Sequence, residues 1–159
     1  MPIVEGSVLI AAPREGLFAL SQDYALRKEW DPFVRELKFR GGATEAAVGV
    51  RVWVRTWTGL TMEVEYVSVN PPDAVAMKML RGPFFFEKFA GTWLFRPAPG
   101  GLTQVIFRYS FATRWPWLRW VIDPPVRAVF RRDIRARLHG LKRAAEQTDI
   151  LDRLEASCS

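Results

Sequence analysis

One stripe near the C-terminus decides what the rest of the chain must supply. From Pro124 to Gln147, the residues Val126, Val129, Phe130, Ile134, Leu138, Leu141 and Ala145 recur at steps of three and four. That spacing aligns side chains along one face of an α-helix. Asp123 stands before Pro124, an acceptor at the cap position followed by a residue that tolerates the first helical turn. Arg127, Arg131, Arg132, Arg135, Lys142 and Arg143 fall between the apolar positions, which makes the opposite face basic. At about 1.5 Å per residue such a helix runs roughly 36 Å. Its apolar face needs a broad partner.

The upstream sequence reads as short strands able to provide it. Val4 to Ala11 predicts a first strand with Val4, Val8 and Ile10 on one face. Pro13 opens a short helix that runs out near Asp23-Tyr24, and a second helical piece is expected after Trp30-Asp31-Pro32, capped by Asp31. Beyond Gly41-Gly42 the period becomes two. Val50, Val52 and Val54 alternate with Arg51, Trp53 and Arg55; Met62, Val64 and Tyr66 alternate with Thr61, Glu63 and Glu65. A three-residue turn at Thr58-Gly59-Leu60 sets Arg55 opposite Glu63 and Trp53 opposite Glu65 on a wet face. The other face points inward.

Asn70-Pro71-Pro72-Asp73 is a turn. Val75, Met77 and Met79 then share a face, as do Phe89, Trp93 and Phe95 after an interruption at Glu87-Lys88 that suggests a bulge. Val105, Phe107, Tyr109 and Phe111 alternate last. The order is one strand, two short helices, a run of antiparallel strands and one long terminal helix, an α+β chain. With 159 residues a single domain spanning 1–159 is expected, with the tail after about residue 147 lacking order.

Composition narrows the function classes. No run of about 18 apolar residues exists to cross a membrane, and no basic-then-apolar leader opens the chain. Cys158 is the lone cysteine, so neither a disulfide framework nor a thiolate cluster is expected, and a cytoplasmic location follows. Residues 108 to 143 hold ten Lys or Arg against Asp123 and Asp133. A solvated helix face explains this better than a nucleic-acid groove. His139 lies on the polar side of the stripe beside Gly140, a poor place for a catalytic base. No metal-ligand spacing, phosphate loop or dinucleotide fingerprint occurs, so no metal and no cofactor are expected.

The element order carries a resemblance. Ile10-Ala11-Ala12-Pro13-Arg14-Glu15 runs into Leu17-Phe18-Ala19-Leu20, followed by Asp23-Tyr24 and Trp30-Asp31-Pro32-Phe33. Val67-Ser68-Val69-Asn70-Pro71-Pro72, Gly91-Thr92-Trp93-Leu94-Phe95-Arg96-Pro97 and Leu141-Lys142-Arg143-Ala144-Ala145-Glu146 complete the set. In order and spacing these pieces resemble the START-like, helix-grip superfamily, in its polyketide cyclase/dehydrase and lipid-transport branch. The resemblance implies a curved antiparallel sheet of about six or seven strands wrapped around the C-terminal helix, with a cavity between them. The segment Arg114 to Asp123 departs from the family pattern.

Seven Trp and eleven Phe exceed what a minimal core needs. Val54, Met62, Val64, Tyr66, Met77, Met79, Phe89, Trp93, Phe107, Tyr109, Phe111 and Phe130 are therefore the candidate lining of an apolar pocket. The phenols of Tyr66 and Tyr109 are its candidate polar anchors, or else satisfy each other or the backbone. Trp115, Trp117 and Trp120 interleave with Arg114 and Arg119, a composition suited to a pocket entrance or a peripheral membrane contact. At least one of the three rings is expected to be exposed. The leading expectation is binding of a hydrophobic small molecule: lipid, polyketide or isoprenoid. Two alternatives stand beside it, an aromatase, cyclase or dehydratase leaning on tyrosines or a pocket arginine, and a module docking through its basic helix.

Overall fold

The computed structural model describes residues 2–158, with the side chains of Ser157 and Cys158 outside the description. Seven strands form one antiparallel sheet: β1 (Ile3–Ile10), β2 (Val34–Phe39), β3 (Arg51–Thr56), β4 (Thr61–Asn70), β5 (Ala74–Arg81), β6 (Phe86–Ala98) and β7 (Leu102–Thr113). Their spatial order is β1-β7-β6-β5-β4-β3-β2. Two short helices, α1 (Arg14–Gln22) and α2 (Tyr24–Trp30), carry the chain from β1 to the far edge at β2. The long helix α3 (Arg119–Gln147) lies against β1 and β7, and α4 (Ile150–Cys158) follows it. No helix among the described residues is long and apolar enough to cross a membrane.

The inward faces are those the alternation marks. Val52, Val54, Met62, Val64 and Tyr66 are buried, as are Phe89, Trp93, Phe95, Val105, Phe107, Tyr109 and Phe111. The break at Glu87-Lys88 is a register shift between Phe86 and Lys88. Helix α3 closes on this surface through Phe130, Ile134, Leu138 and Leu141.

Two glycines set how closely α3 approaches its neighbours. A Cβ on Gly6 in β1 would stand 2.7 Å from Ile134 Cγ2, and one on Gly140 would stand 2.1 Å from the carbonyl oxygen of Trp30. The second contact presses α3 onto the C-terminal end of α2. That pressure positions the site described below.

Several local expectations differ from what forms. The second short helix precedes Trp30-Asp31-Pro32 and is capped by Asp23, whose carboxylate accepts the Leu26 N–H at 3.1 Å. Residues after Pro32 instead pair as the edge strand β2 with β3. The β3–β4 loop is Trp57 to Gly59, closed by the Thr56 N–H to the Leu60 carbonyl at 2.9 Å. Gly59 takes φ 88° at the loop's last position, where glycine costs least. The register therefore moves by two: Arg51 faces Glu65 and Trp53 faces Glu63. A shift of two leaves every side chain on its expected face.

Helix α3 also begins earlier than the Asp123-Pro124 signal suggests, at Arg119, and carries Pro124 and Pro125 inside it. Of its expected stripe, Val129 is exposed. After residue 147 the described chain forms α4, in which Ile150 and Leu154, one helical turn apart, are buried, and Leu151 packs beside Gly16. Arg153 ties it to Glu29 at 2.9 Å. Its apolar positions supply the burial that an exposed tail would lack.

Candidate functional site

Two hollows adjoin beneath α3 and share Phe33, Met62 and Phe89 in their walls. The inner one, about 50 Å³, is lined by Val52, Val54, Met62, Val64, Met77, Phe107 and, at its polar end, Tyr24, Arg27, Tyr109 and Arg137. The outer one, about 260 Å³, lies between the β3–β4 loop and the first half of α3, with Phe85, Phe86, Phe89, Val126, Val129 and Phe130 around it. Asp133 is the acidic residue in its wall.

Of the residues expected from the sequence, Val54, Met62, Val64, Met77, Phe89, Phe107 and Tyr109 line the inner hollow. Phe130 lines the outer one, which Met62 and Phe89 also reach. Trp93 and Phe111 are packed in the core and line neither hollow. Tyr66 also lies outside both walls; its hydroxyl donates to Gln22 Oε1 at 2.9 Å and meets the Tyr24 hydroxyl at 2.5 Å. Met79 lies over Gly82. Trp115 is half-buried against Phe84, while Trp117 and Trp120 are 74% and 87% exposed.

The polar end of the inner hollow is a buried charge cluster. Asp31 Oδ2 accepts from Arg27 Nε at 2.8 Å and from Arg137 Nη2 at 2.9 Å and Nε at 3.2 Å. Its other oxygen accepts the Phe33 N–H at 3.0 Å. Asp31 thus does satisfy a backbone donor at a helix end, yet it is also a buried ion with two cationic partners. Arg137 donates through Nη1 to the Tyr109 hydroxyl at 2.6 Å, and Arg27 donates to the Ser21 carbonyl. Aromatic faces cover what remains: Arg137 stands 4.5 Å from the Phe107 ring centre and 4.6 Å from that of Phe33, and Arg27 stands 5.0 Å from that of Trp30.

Electrostatics follow from this packing. Burial alone would push the Asp31 carboxyl up, but Arg137 and Arg27 outweigh it and hold the carboxyl below the ordinary carboxylate range. Burial drives the Tyr109 phenol up to about 12 even though Arg137 opposes it. Tyr24 and Tyr66 are likewise raised, chiefly by burial. At neutral pH the cluster therefore has one carboxylate, two guanidiniums and protonated phenols. Asp31, held by two cations, is a poor proton acceptor. Tyr109 accepts from Arg137 and keeps its own O–H to offer.

Sequence reading passed over Arg27, Asp31 as an ion, and Arg137. Two signals were present. Arg137 stands at stripe spacing between Ile134, Leu138 and Leu141, where a cation on an apolar face demands a partner. Arg27 and Asp31 are four apart, the separation of helical ion pairs.

Residues 1–146 match the family model described as polyketide cyclase / dehydrase and lipid transport. The chain belongs to this family. Among curated proteins none matches the sequence significantly. Similar solved structures include a START superfamily protein from Mycobacterium smegmatis, at 14% identity and TM-score 0.74, covering 91% of this chain and 97% of that one. A protein from Thermus thermophilus is 21% identical with TM-score 0.73, covering 99% of this chain and 100% of that one. The di-domain ARO/CYC protein BexL, from the BE-7585A biosynthetic pathway, is 17% identical with TM-score 0.72 over 92% of this chain and 48% of its own length. These structures share the fold: a curved antiparallel sheet gripping a long C-terminal helix.

Proposed function

We propose that this family member is a carrier or receptor for a hydrophobic small molecule that occupies the two hollows between the sheet and α3. One observation carries the reading. A continuous wall of aromatic and methionine side chains ends in a small set of fixed donors, Arg27, Arg137 and Tyr109. An apolar body with few polar anchors is how proteins hold lipophilic ligands. At the polar end of the inner hollow, ring closure or dehydration finds donors but no free base, because Asp31 is tied to two guanidiniums. Turnover would have to draw on Asp133, which lines the outer hollow away from those donors, so binding is the favoured reading.

The route in runs past the N-terminal end of α3. Pro125, Val126 and Val129 rim the outer hollow, and a few residues upstream Trp117, Trp120 and Val121 are exposed beside Arg119. Rings and cations together suit an anionic lipid surface, so ligand exchange at a membrane belongs to this reading. Native mass spectrometry of protein purified from its own host tests the carrier function. A bound lipophilic adduct released by organic solvent is expected. Consistently bare protein that also fails to take up any added lipophile would overturn it.

A further inference from the structure

The wall of the inner hollow is unbalanced in charge: it holds Arg27 and Arg137 and no carboxylate. Among the described residues, the ion pairs of Arg27 and Arg137 both end on Asp31. Asp133, one helical turn before Arg137, is half-buried on the outer hollow and makes no ion pair with it. Burial raises the Asp133 carboxyl while Arg137 and Arg132 pull it down, so it acts on Arg137 from the outer hollow and not from the inner one. On the side of the inner hollow the Arg137 guanidinium meets the Phe33, Phe107 and Trp93 rings instead of a carboxylate. Ring faces soften such a charge by a small amount compared with a true counter-ion. An interior cation that borders a hollow is a place waiting for an anion.

Size decides which anion. The inner hollow, about 50 Å³, has room for a carboxyl-sized group or a few waters, and none for a ring system. The outer hollow is larger and lined almost wholly by apolar side chains. Resting on the carrier reading above, we infer that the preferred ligand is an amphipathic acid, its carboxylate held by Arg137, Arg27 and the Tyr109 hydroxyl and its apolar chain lying against Phe86, Phe89 and Phe130. An alcohol or ester of the same chain would forgo the charge-assisted bonds. An amine would meet two cations.

Titration calorimetry at neutral pH with decanoic acid, decanol, methyl decanoate and decylamine tests the inference. The acid is expected to bind about tenfold tighter than the alcohol, with ester and amine weaker still. In Arg137→Met the Arg27–Asp31 pair stays balanced, so the variant should fold; there the acid's advantage should shrink to within about twofold while decanol binding persists. Should that variant not fold, Arg27→Met leaves the reciprocal balanced pair and the same loss is expected. Equal binding of acid and alcohol to the native protein would overturn the inference and leave the carrier reading intact. So would an acid preference that survives in the folded variant. Failure of all four compounds to bind would overturn the inference, and the carrier reading would fall with it only if protein from its own host were also bare.

Discussion

Helix α3 breaks the usual inside-out rule twice, in opposite senses. Toward its C-terminal half it buries a guanidinium, Arg137, against Asp31, Arg27 and Tyr109. At its N-terminal end it leaves Trp120 and Val121 in solvent, beside Trp117 in the preceding turn. Scattered exposed apolar groups are ordinary; buried charges and clustered exposed rings are not. The two regions differ in what their neighbours supply. Around Arg137 the neighbouring elements offer partners: the residue after α2 through Asp31, and β7 through Tyr109 and Phe107. Around Trp117 and Trp120, nothing among the described residues closes over the rings. The first region closes on partners from the fold itself. In the second the rings are left facing solvent.

The largest expected effect is at the buried end. Asp31→Ala would strand two guanidiniums without an anion, a loss of about 3–5 kcal/mol by analogy with broken buried pairs. Arg137→Met leaves Arg27 and Asp31 paired, so its cost should be less than half as large. Urea denaturation of both variants measures the contrast. Equal losses would mean that Arg137's packing and hydrogen bonds, rather than charge balance, dominate.

Next comes the contact that brings the two helices together. Gly140→Ala places a methyl where the Trp30 carbonyl oxygen stands, 2.1 Å away. Backbone on both sides can yield little, so a loss of about 1–3 kcal/mol is expected, in the range of overpacked cores. The shift should also weaken the hold of Arg137 on Asp31, since both lie within a turn of the contact. Thermal melting reads the first effect; weaker binding of acidic amphiphiles reads the second.

Acid should act on the same end of the helix. The Asp31 carboxyl is held below its ordinary value by Arg137 and Arg27 against burial. A depressed carboxyl contributes stability that is full above the unfolded value, about 3.9, and lost as pH falls through the folded one. Stability should therefore decline below about pH 4. The decline should be shallower in Asp31→Asn. An identical acid limb in both proteins would assign the loss to other carboxylates.

How much of this was legible follows from how local each signal is. The strand faces rest on alternation within single segments, so Val52, Val54, Met62 and Val64 can be placed inward without knowledge of any pairing. Register is less secure because the turn can slide by one residue, and Gly59's left-handed conformation fixes it. Helix α4 is anchored through Ile150 and Leu154, which pack where α1 and α3 meet it. The charge cluster is the least local feature. Asp31 and Arg137 are 106 residues apart, and only the close approach at Gly140 joins them. A cap is the simpler reading of an aspartate next to a proline, and Asp31 does accept a backbone N–H.

The smallest effect on stability should come from the other end of α3, and that smallness sharpens the comparison. Trp117 and Trp120 are 74% and 87% exposed, so replacing both by Ser should change folding stability by no more than about 0.5 kcal/mol, as for surface positions elsewhere. Their value should appear only at a lipid surface, where the rings sit at the headgroup level and Arg114 and Arg119 meet anionic lipid. Co-sedimentation with phosphatidylglycerol-containing vesicles is expected for the native protein and should fall steeply in Trp117→Ser/Trp120→Ser. With neutral vesicles both proteins should bind weakly, because the cations then have nothing to meet. A double variant that melts like the native protein yet leaves the vesicles would assign the rings to the membrane and not to the fold. Unchanged vesicle binding would reduce them to a rim over the outer hollow, and no binding by either protein would place ligand exchange in solution.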